Sequence, residues 1–453
     1  MIKIFKDLGY YAAGILGSKL IFFLIVPFYS FFLSKKELGE YDLILISITI
    51  IFPIITLQIS EGVYRLLLQH KNDNYEQNLI INSGLAAFIF GFMFFFVIAF
   101  LINIFIDYPY FFEAICLQFT YGLYIYVQQI ARGLQNHKLF ALLGILNTTL
   151  VIFFSVCSLY LYRLGFQSII ISISLAQLIS LAAAASSFRF SFCFRIKFIK
   201  QKTLHNLIGY SWPLLPNTIS WWLIDLGNRF IILFVLGPEA NGVYAVSARY
   251  AGIIALINSI IILSWQDYAI QKKGLENNIQ KNFSKIFNSF MIFQLSLLGF
   301  LTAISKDIIQ LTISSNFHEA QNYLPILFLS VVISSFCAFQ GGVFLREKRT
   351  KQIFSTTSFG ALGNLFLSLI LIKHIGLYAV AIGSVFGFFI TFLLRKQTIK
   401  LTINYRPALL LIVSFVIILI SIQSESLSQK IFTICFSFLL FITMNLRNLK
   451  KHI

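Results

Sequence analysis

The chain has 453 residues, of which 58% are hydrophobic, 17% aromatic and 11% charged, with a formal net charge of +18. Its mean hydropathy is +0.83. A soluble domain carries about 25% charged residues, so a soluble enzyme, a disordered chain and a β-barrel porin are excluded. The composition predicts an all-α polytopic membrane protein.

Apolar runs broken by short polar punctuation predict about fourteen transmembrane helices of ~20 residues each. In chain order they cover 8–33, 41–68, 79–106, 111–135, 139–162, 166–188, 205–236, 241–268, 286–304, 321–345, 352–372, 376–394, 405–422 and 430–446. Gly165 and Gly376 supply the weak breaks within the longer runs; without them the count falls to twelve. The first span begins like a signal peptide, with Lys3 and Lys6 before an apolar stretch. It is too long for one, carries Lys19 in its middle and ends at Ser34-Lys35-Lys36 without a small-residue cleavage site. A retained helix is expected.

Charge sets the orientation. With the N-terminus inside, 26 of the 35 Lys and Arg residues fall in the inner segments, including Arg132, Lys197, Lys200, Lys202 and Arg395. Six fall in the outer loops and three (Lys19, Arg229, Arg249) within spans. Cytoplasmic loops collect Lys and Arg, so both termini are expected in the cytoplasm of a bacterial inner membrane. No loop is long enough to hold an independent domain, and three parts are expected: an N-terminal six-helix bundle over 1–203, a second over 204–400, and two further helices with a basic tail over 401–453. The five cysteines are scattered and form no C-x-x-C pair. Neither a disulfide framework nor a metal site is expected.

An internal repeat supports two related bundles. Leu33, Gly39 and Tyr41 recur as Leu236, Gly242 and Tyr244, each 203 residues on. Arg163-x-Gly165 is echoed by Lys373-x-x-Gly376. An offset of six helices preserves orientation, so the bundles would be parallel repeats about a central cavity, the architecture of transporters.

Ionisable residues at bilayer depth cost ~2.5–3.5 kcal/mol each on insertion scales and are functional candidates by default. Lys19 and Arg249 have no carboxylate on the adjacent turns. Glu61 with Arg65, and Asp225 with Arg229, form i,i+4 pairs with the acid N-terminal, the better orientation. Each pair either neutralises itself or serves transport, and Arg65 can also snorkel to the surface. The cationic remainder suits a phosphate, for which the planar guanidinium is the better ligand. On the seventh span, Pro213 and Pro216 precede Asn217, Trp221 and Trp222. Proline frees carbonyls that can line a cavity, and aromatic faces stack on sugars. The same tryptophans would equally suit an interfacial belt.

The stretch from Tyr210 to Trp222, then Asn228-Arg229-Phe-Ile-Ile, Leu236-Gly and Asn241-Gly-Val-Tyr244 resembles the signature of Wzx-type polysaccharide-biosynthesis flippases. These belong to the multidrug/oligosaccharidyl-lipid/polysaccharide exporter superfamily. Leu38-Gly39-Glu-Tyr41 resembles the family's first-loop pattern, and Leu134 to Lys138 its loop between the fourth and fifth helices. The resemblance implies translocation of an undecaprenyl-diphosphate-linked oligosaccharide to the outer leaflet by alternating access, for surface polysaccharide such as O-antigen. It implies a non-enzyme without a cofactor, driven by a proton or sodium gradient, with Glu61, Arg65 and Asp225 as coupling or charge-pairing candidates. Lys19, Arg229 and Arg249 would hold the diphosphate, with Asn217, Trp221 and Trp222 on the sugars. The family's arginine often follows Asp directly; here Asn228 precedes Arg229, and Asp225 lies one turn earlier. Expected partners are membrane lipids, a polysaccharide polymerase and glycosyltransferases. No nucleic acid is expected, and the protein should be a monomer.

Three alternatives compete. A lipid II flippase has the same chemistry. A drug/cation antiporter would carry a more acidic interior. A membrane polymerase or glycosyltransferase would need a long outer loop rich in carboxylates, whereas the outer loops here are short and carry scattered single acids.

Overall fold

In the computed structural model the described residues are 25–70, 73–162, 165–187, 195–225, 227–271, 276–347 and 349–399. Lys19, most of the first predicted span, and the spans 405–422 and 430–446 with the 401–453 segment lie outside them. Among the described residues there is no β-strand. Every predicted span from 41 to 394 coincides with a helix or with a run of two or three helices. Nine described helices are long and apolar enough to cross a membrane, or ten if 201–224 and 228–236 form one broken span. The chain is a helical, multi-pass membrane protein.

It divides into two compact units, one of Met1–Leu33 with Glu40–Ile219, the other of Ser34–Gly39 with Ser220–Ile453. The first contains most of α1 (Lys35–Thr56), α2 (Ile59–Gln69), α3 (Asn74–Ile106), α4 (Phe111–Gly133), α5 (His137–Val156), α6 (Phe166–Ser187) and α7 (Gln201–Ser211). Side chains fix several helix ends. Asp73 Oδ1 accepts from the N–H groups of Tyr75 and Glu76 at the start of α3, and Asn136 Oδ1 from that of Leu139 in α5, satisfying donors a helix cannot meet itself. Val63, Leu67, Ile80, Tyr126, Ile130 and Leu207 join α2, α3, α4 and α7 in one core. The Tyr126 hydroxyl donates to Ile81 O at 2.6 Å.

The second span is not one straight helix. Leu57 and Gln58 both have positive φ, 47° and 60°, four and five residues after Pro53. Gln58 N–H reaches back five residues to Pro53 O at 3.1 Å, and Gln58 Nε2 donates to Thr218 Oγ1 at 2.6 Å. Left-handed backbone at non-glycine residues costs ~1–3 kcal/mol each, so the surrounding packing enforces this break.

The second unit contains the first turn of α1, the end of α8 (Leu215–Asp225), α9 (Asn228–Leu236), α10 (Pro238–Gln271), α11 (Glu276–Thr312), α12 (Leu324–Arg346), α13 (Thr350–Ile375) and α14 (Leu377–Ile399). Gly360 and Gly387 let α13 and α14 approach until a Cβ on either would meet the other's carbonyl at 2.6 Å. Such small-residue contacts replace hydrophobic driving force between helices in lipid. Trp265 stacks on Phe339 at 3.9 Å between centroids and donates Nε1–H to Phe339 O.

The repeat motifs have a structural counterpart. A Cβ on Gly39 would collide with Pro238 O, and one on Gly242 with Lys35 O. The openings of α1 and α10 therefore cross glycine against glycine, reciprocally, and Asn241 Nδ2 donates to Gly39 O at 2.9 Å. Gly165 and Gly376 also correspond: each carbonyl accepts the N–H three residues on, from Ser168 and Ala379, as the next helix starts.

Candidate functional site

In the second unit, the seventh span breaks between Asp225 and Asn228. Gly227 N–H donates to Trp222 O at 3.1 Å, five residues back, and α9 starts afresh. The Asn228 amide donates to Ser384 Oγ at 2.6 Å and to Val380 O at 3.3 Å. The Asn364 amide donates to Ile224 O at 3.1 Å, and Ser368 Oγ to Asn364 Oδ1. Neutral side chains thus tie both lips of the break to α13 and α14. Where the family often has Asp, Asn228 supplies N–H donors that a carboxylate lacks.

Arg229 follows on α9, 6% exposed, with its guanidinium carbon 4.7 Å from the centre of the Tyr244 ring. Tyr244 is the repeat-motif tyrosine, so the motif seats this arginine. Arg249 is on α10, half-buried. Trp221 and Trp222 are half-buried too: Trp221 lies 6.5 Å from the Phe388 ring and Trp222 5.6 Å from the Phe230 ring. The side chains of Asn217 and Asp225 lie outside the described residues.

Arg395, assigned by charge patterning to an inner loop, is instead on α14 and 0% exposed. Its Nε donates to Thr356 Oγ1 at 3.0 Å, Nη1 to Cys337 O at 2.7 Å, and Nη2 to Thr357 Oγ1 at 2.8 Å and Ile353 O at 3.4 Å. Trp221 lies 5.7 Å from the guanidinium carbon. Nothing local in the sequence marks this knot, because its acceptors come from two other helices, α12 and α13. The Thr356-Thr357 pair is its one visible trace.

In the first unit, the Glu61–Arg65 pair does not form. Arg65 is exposed, whereas Glu61 is half-buried and Oε1 accepts from Gln129 Nε2 at 2.7 Å. The cation acting on this carboxylate is Arg132, whose guanidinium lies 4.2 Å from the Tyr64 ring centre. An i,i+4 spacing permits a contact; α4, packed on α2, offers a better-placed one. Sequence spacing could not reveal Gln129, 68 residues away.

The family model described as polysaccharide biosynthesis protein matches residues 4–265, a stretch that holds both repeat motifs, Glu61, Arg229 and Arg249. The chain belongs to the polysaccharide biosynthesis protein family. No curated relative matches its sequence significantly. Among solved structures, the family member resembles a lipid II flippase MurJ in an inward closed conformation: TM-score 0.69, 15% identity, covering 99% of this chain and 100% of that one. It also resembles an inward-facing multidrug resistance MATE transporter of the MOP superfamily, with TM-score 0.60, 14% identity, and 87% and 94% covered. A Vibrio cholerae MATE transporter gives TM-score 0.56 at 12% identity, with 87% and 96% covered. At these identities the likeness establishes the fold.

Proposed function

We propose that this protein flips an undecaprenyl-diphosphate-linked oligosaccharide from the cytoplasmic to the outer leaflet by alternating access of its two repeats, for surface polysaccharide assembly. The observation that carries the reading is the polysaccharide-biosynthesis family match across 4–265. Arg229 and Arg249 offer charge to the diphosphate, while the prenyl tail stays in lipid. The Glu61 carboxylate, hydrogen-bonded to Gln129 and attracted by Arg132, takes up or releases the coupling ion.

A second reading, lipid II flipping, draws on the end-to-end likeness to MurJ. The two separate in one experiment. Deleting the gene and extracting polyprenyl lipids should reveal a lipid-linked glycan accumulating, with unchanged lipid II. Accumulated lipid II instead would favour the second reading. Arg229→Ala and Arg249→Ala, present in the membrane at wild-type level, should fail to restore export; full restoration by both would remove the diphosphate assignment.

A further inference from the structure

The described stretch of the connector before α7, residues 195–200, carries Arg195, Lys197 and Lys200, and the first turn of α7 carries Lys202, all exposed. None of the four is ion-paired among the described residues. Instead the Lys200 ammonium lies 5.1 Å from the centre of the Tyr75 ring and the Lys197 ammonium 5.2 Å from that of Phe198. The two rings meet edge to face at 5.8 Å. Two ammonium groups are thus held on a pair of joined aromatic rings, cation–π contacts that orient a charge without neutralising it.

The segment is also pinned. Arg195 N–H donates to Asn82 Oδ1 at 2.9 Å and Lys200 N–H to Ser83 Oγ at 3.3 Å, while Ser83 Oγ donates to Phe198 O at 3.4 Å. Asn82 and Ser83 are 6% and 0% exposed, so the connector is fastened to the buried side of α3. The only acidic residues on the first turn of α3 and its cap are Glu76 and Asp73; Asp73 is engaged in capping.

Its depth follows from α3 itself. Phe90, Phe94, Val97, Leu101 and Phe105 are 75%, 64%, 55%, 53% and 88% exposed, an apolar face suited to the hydrocarbon core of a bilayer. At 1.5 Å per residue, Ser83 lies ~10 Å and Tyr75 ~22 Å before Phe90. A hydrocarbon core of ~30 Å within a bilayer of ~40–45 Å leaves head-group layers of several ångströms on each side. The pinned connector therefore brackets the head-group layer, where tyrosine rings favour the boundary and each lysine is attracted to anionic lipid.

We propose that Lys197, Lys200 and Lys202, with Tyr75 and Phe198 beneath the first two, form a seat for the head group of an anionic glycerophospholipid. The seat depends on the protein spanning a membrane and not on which lipid it transports.

The test is native mass spectrometry of the full chain, released from detergent containing equal phosphatidylglycerol and phosphatidylcholine of matched chains. The wild type should retain phosphatidylglycerol preferentially. Lys197→Gln/Lys200→Gln/Lys202→Gln should weaken that retention ~100-fold and leave phosphatidylcholine unchanged. Lys285→Gln/Lys351→Gln/Lys373→Gln, equal in charge loss and exposed elsewhere, should behave as wild type. Tyr75→Leu, which keeps every charge, should give an intermediate loss, and the single variants Lys197→Gln and Lys200→Gln carry the test should the triple variant lose stability. Wild-type retention by the triple variant, or equal loss in the control, overturns the proposal. So does displacement of the bound lipid by inorganic diphosphate but not by phosphate, which would assign the lysines to the transported head group.

Discussion

Arg395 shows what a single residue can hold in this protein. A guanidinium offers five donors and no acceptor, and four hydrogen bonds from Arg395 on α14 close on α12 and α13. Removing it takes four charge-assisted hydrogen bonds, each worth about 1.5–3 kcal/mol net, out of a buried site and leaves the Thr356 and Thr357 hydroxyls only their bonds to the preceding turn. Arg395→Ala should therefore lower the thermal midpoint of the purified protein markedly, and Arg395→Lys, which cannot fork, should recover only part of the loss. Asn228 makes a second case. Its amide donates to Val380 O and Ser384 Oγ, so Asn228→Asp would set a carboxylate oxygen against the Val380 carbonyl. A fall in melting temperature at pH 7 relative to pH 4, absent in the wild type, is the expected signature. Neither residue was conspicuous as a sequence signal for packing: Arg395 read as a loop charge and Asn228 as a departure from a family pattern.

At the scale of elements, the breaks matter more than the helices. The second span fails as one helix because Leu57 and Gln58 take left-handed backbone after Pro53. Leu57→Gly should be tolerated, since glycine adopts this conformation freely. Leu57→Val, β-branched at φ > 0, should add to the strain that leucine already carries there, read as a lowered thermal midpoint. The reciprocal glycine crossing of α1 and α10 is equally demanding. Gly39→Ala or Gly242→Ala places a methyl on the opposing carbonyl, and either should reduce both stability and export, whereas Gly209→Ala, with open space around it, should do neither. Pro53 was a readable hint of the first break. The paired glycines were readable as a repeat, yet the contact between them was not.

For the whole molecule, charge distribution makes a topological prediction. A cysteine placed at the exposed Ser315, in the connection after α11, should react with a membrane-impermeant maleimide in intact cells. One at exposed Lys202 should react only after permeabilisation. Equal labelling of both from outside would reverse the orientation inferred from 26 inner against six outer basic residues.

The sequence by itself determined the class, the span positions from 41 to 394 and the family motifs. Those follow from quantities local in the chain: the run of apolar residues that a bilayer needs, and short spacings around glycine, tyrosine and arginine. Tertiary structure decided which polar groups meet. Glu61 turned from Arg65 to Gln129 and Arg132, Arg229 lay against Tyr244, and Arg395 left the loop for a buried knot. In a low-dielectric interior an unmatched polar group is costly, so partners are chosen by reach across packed helices. That reach depends on which faces pack together, and intervals along the chain do not encode it.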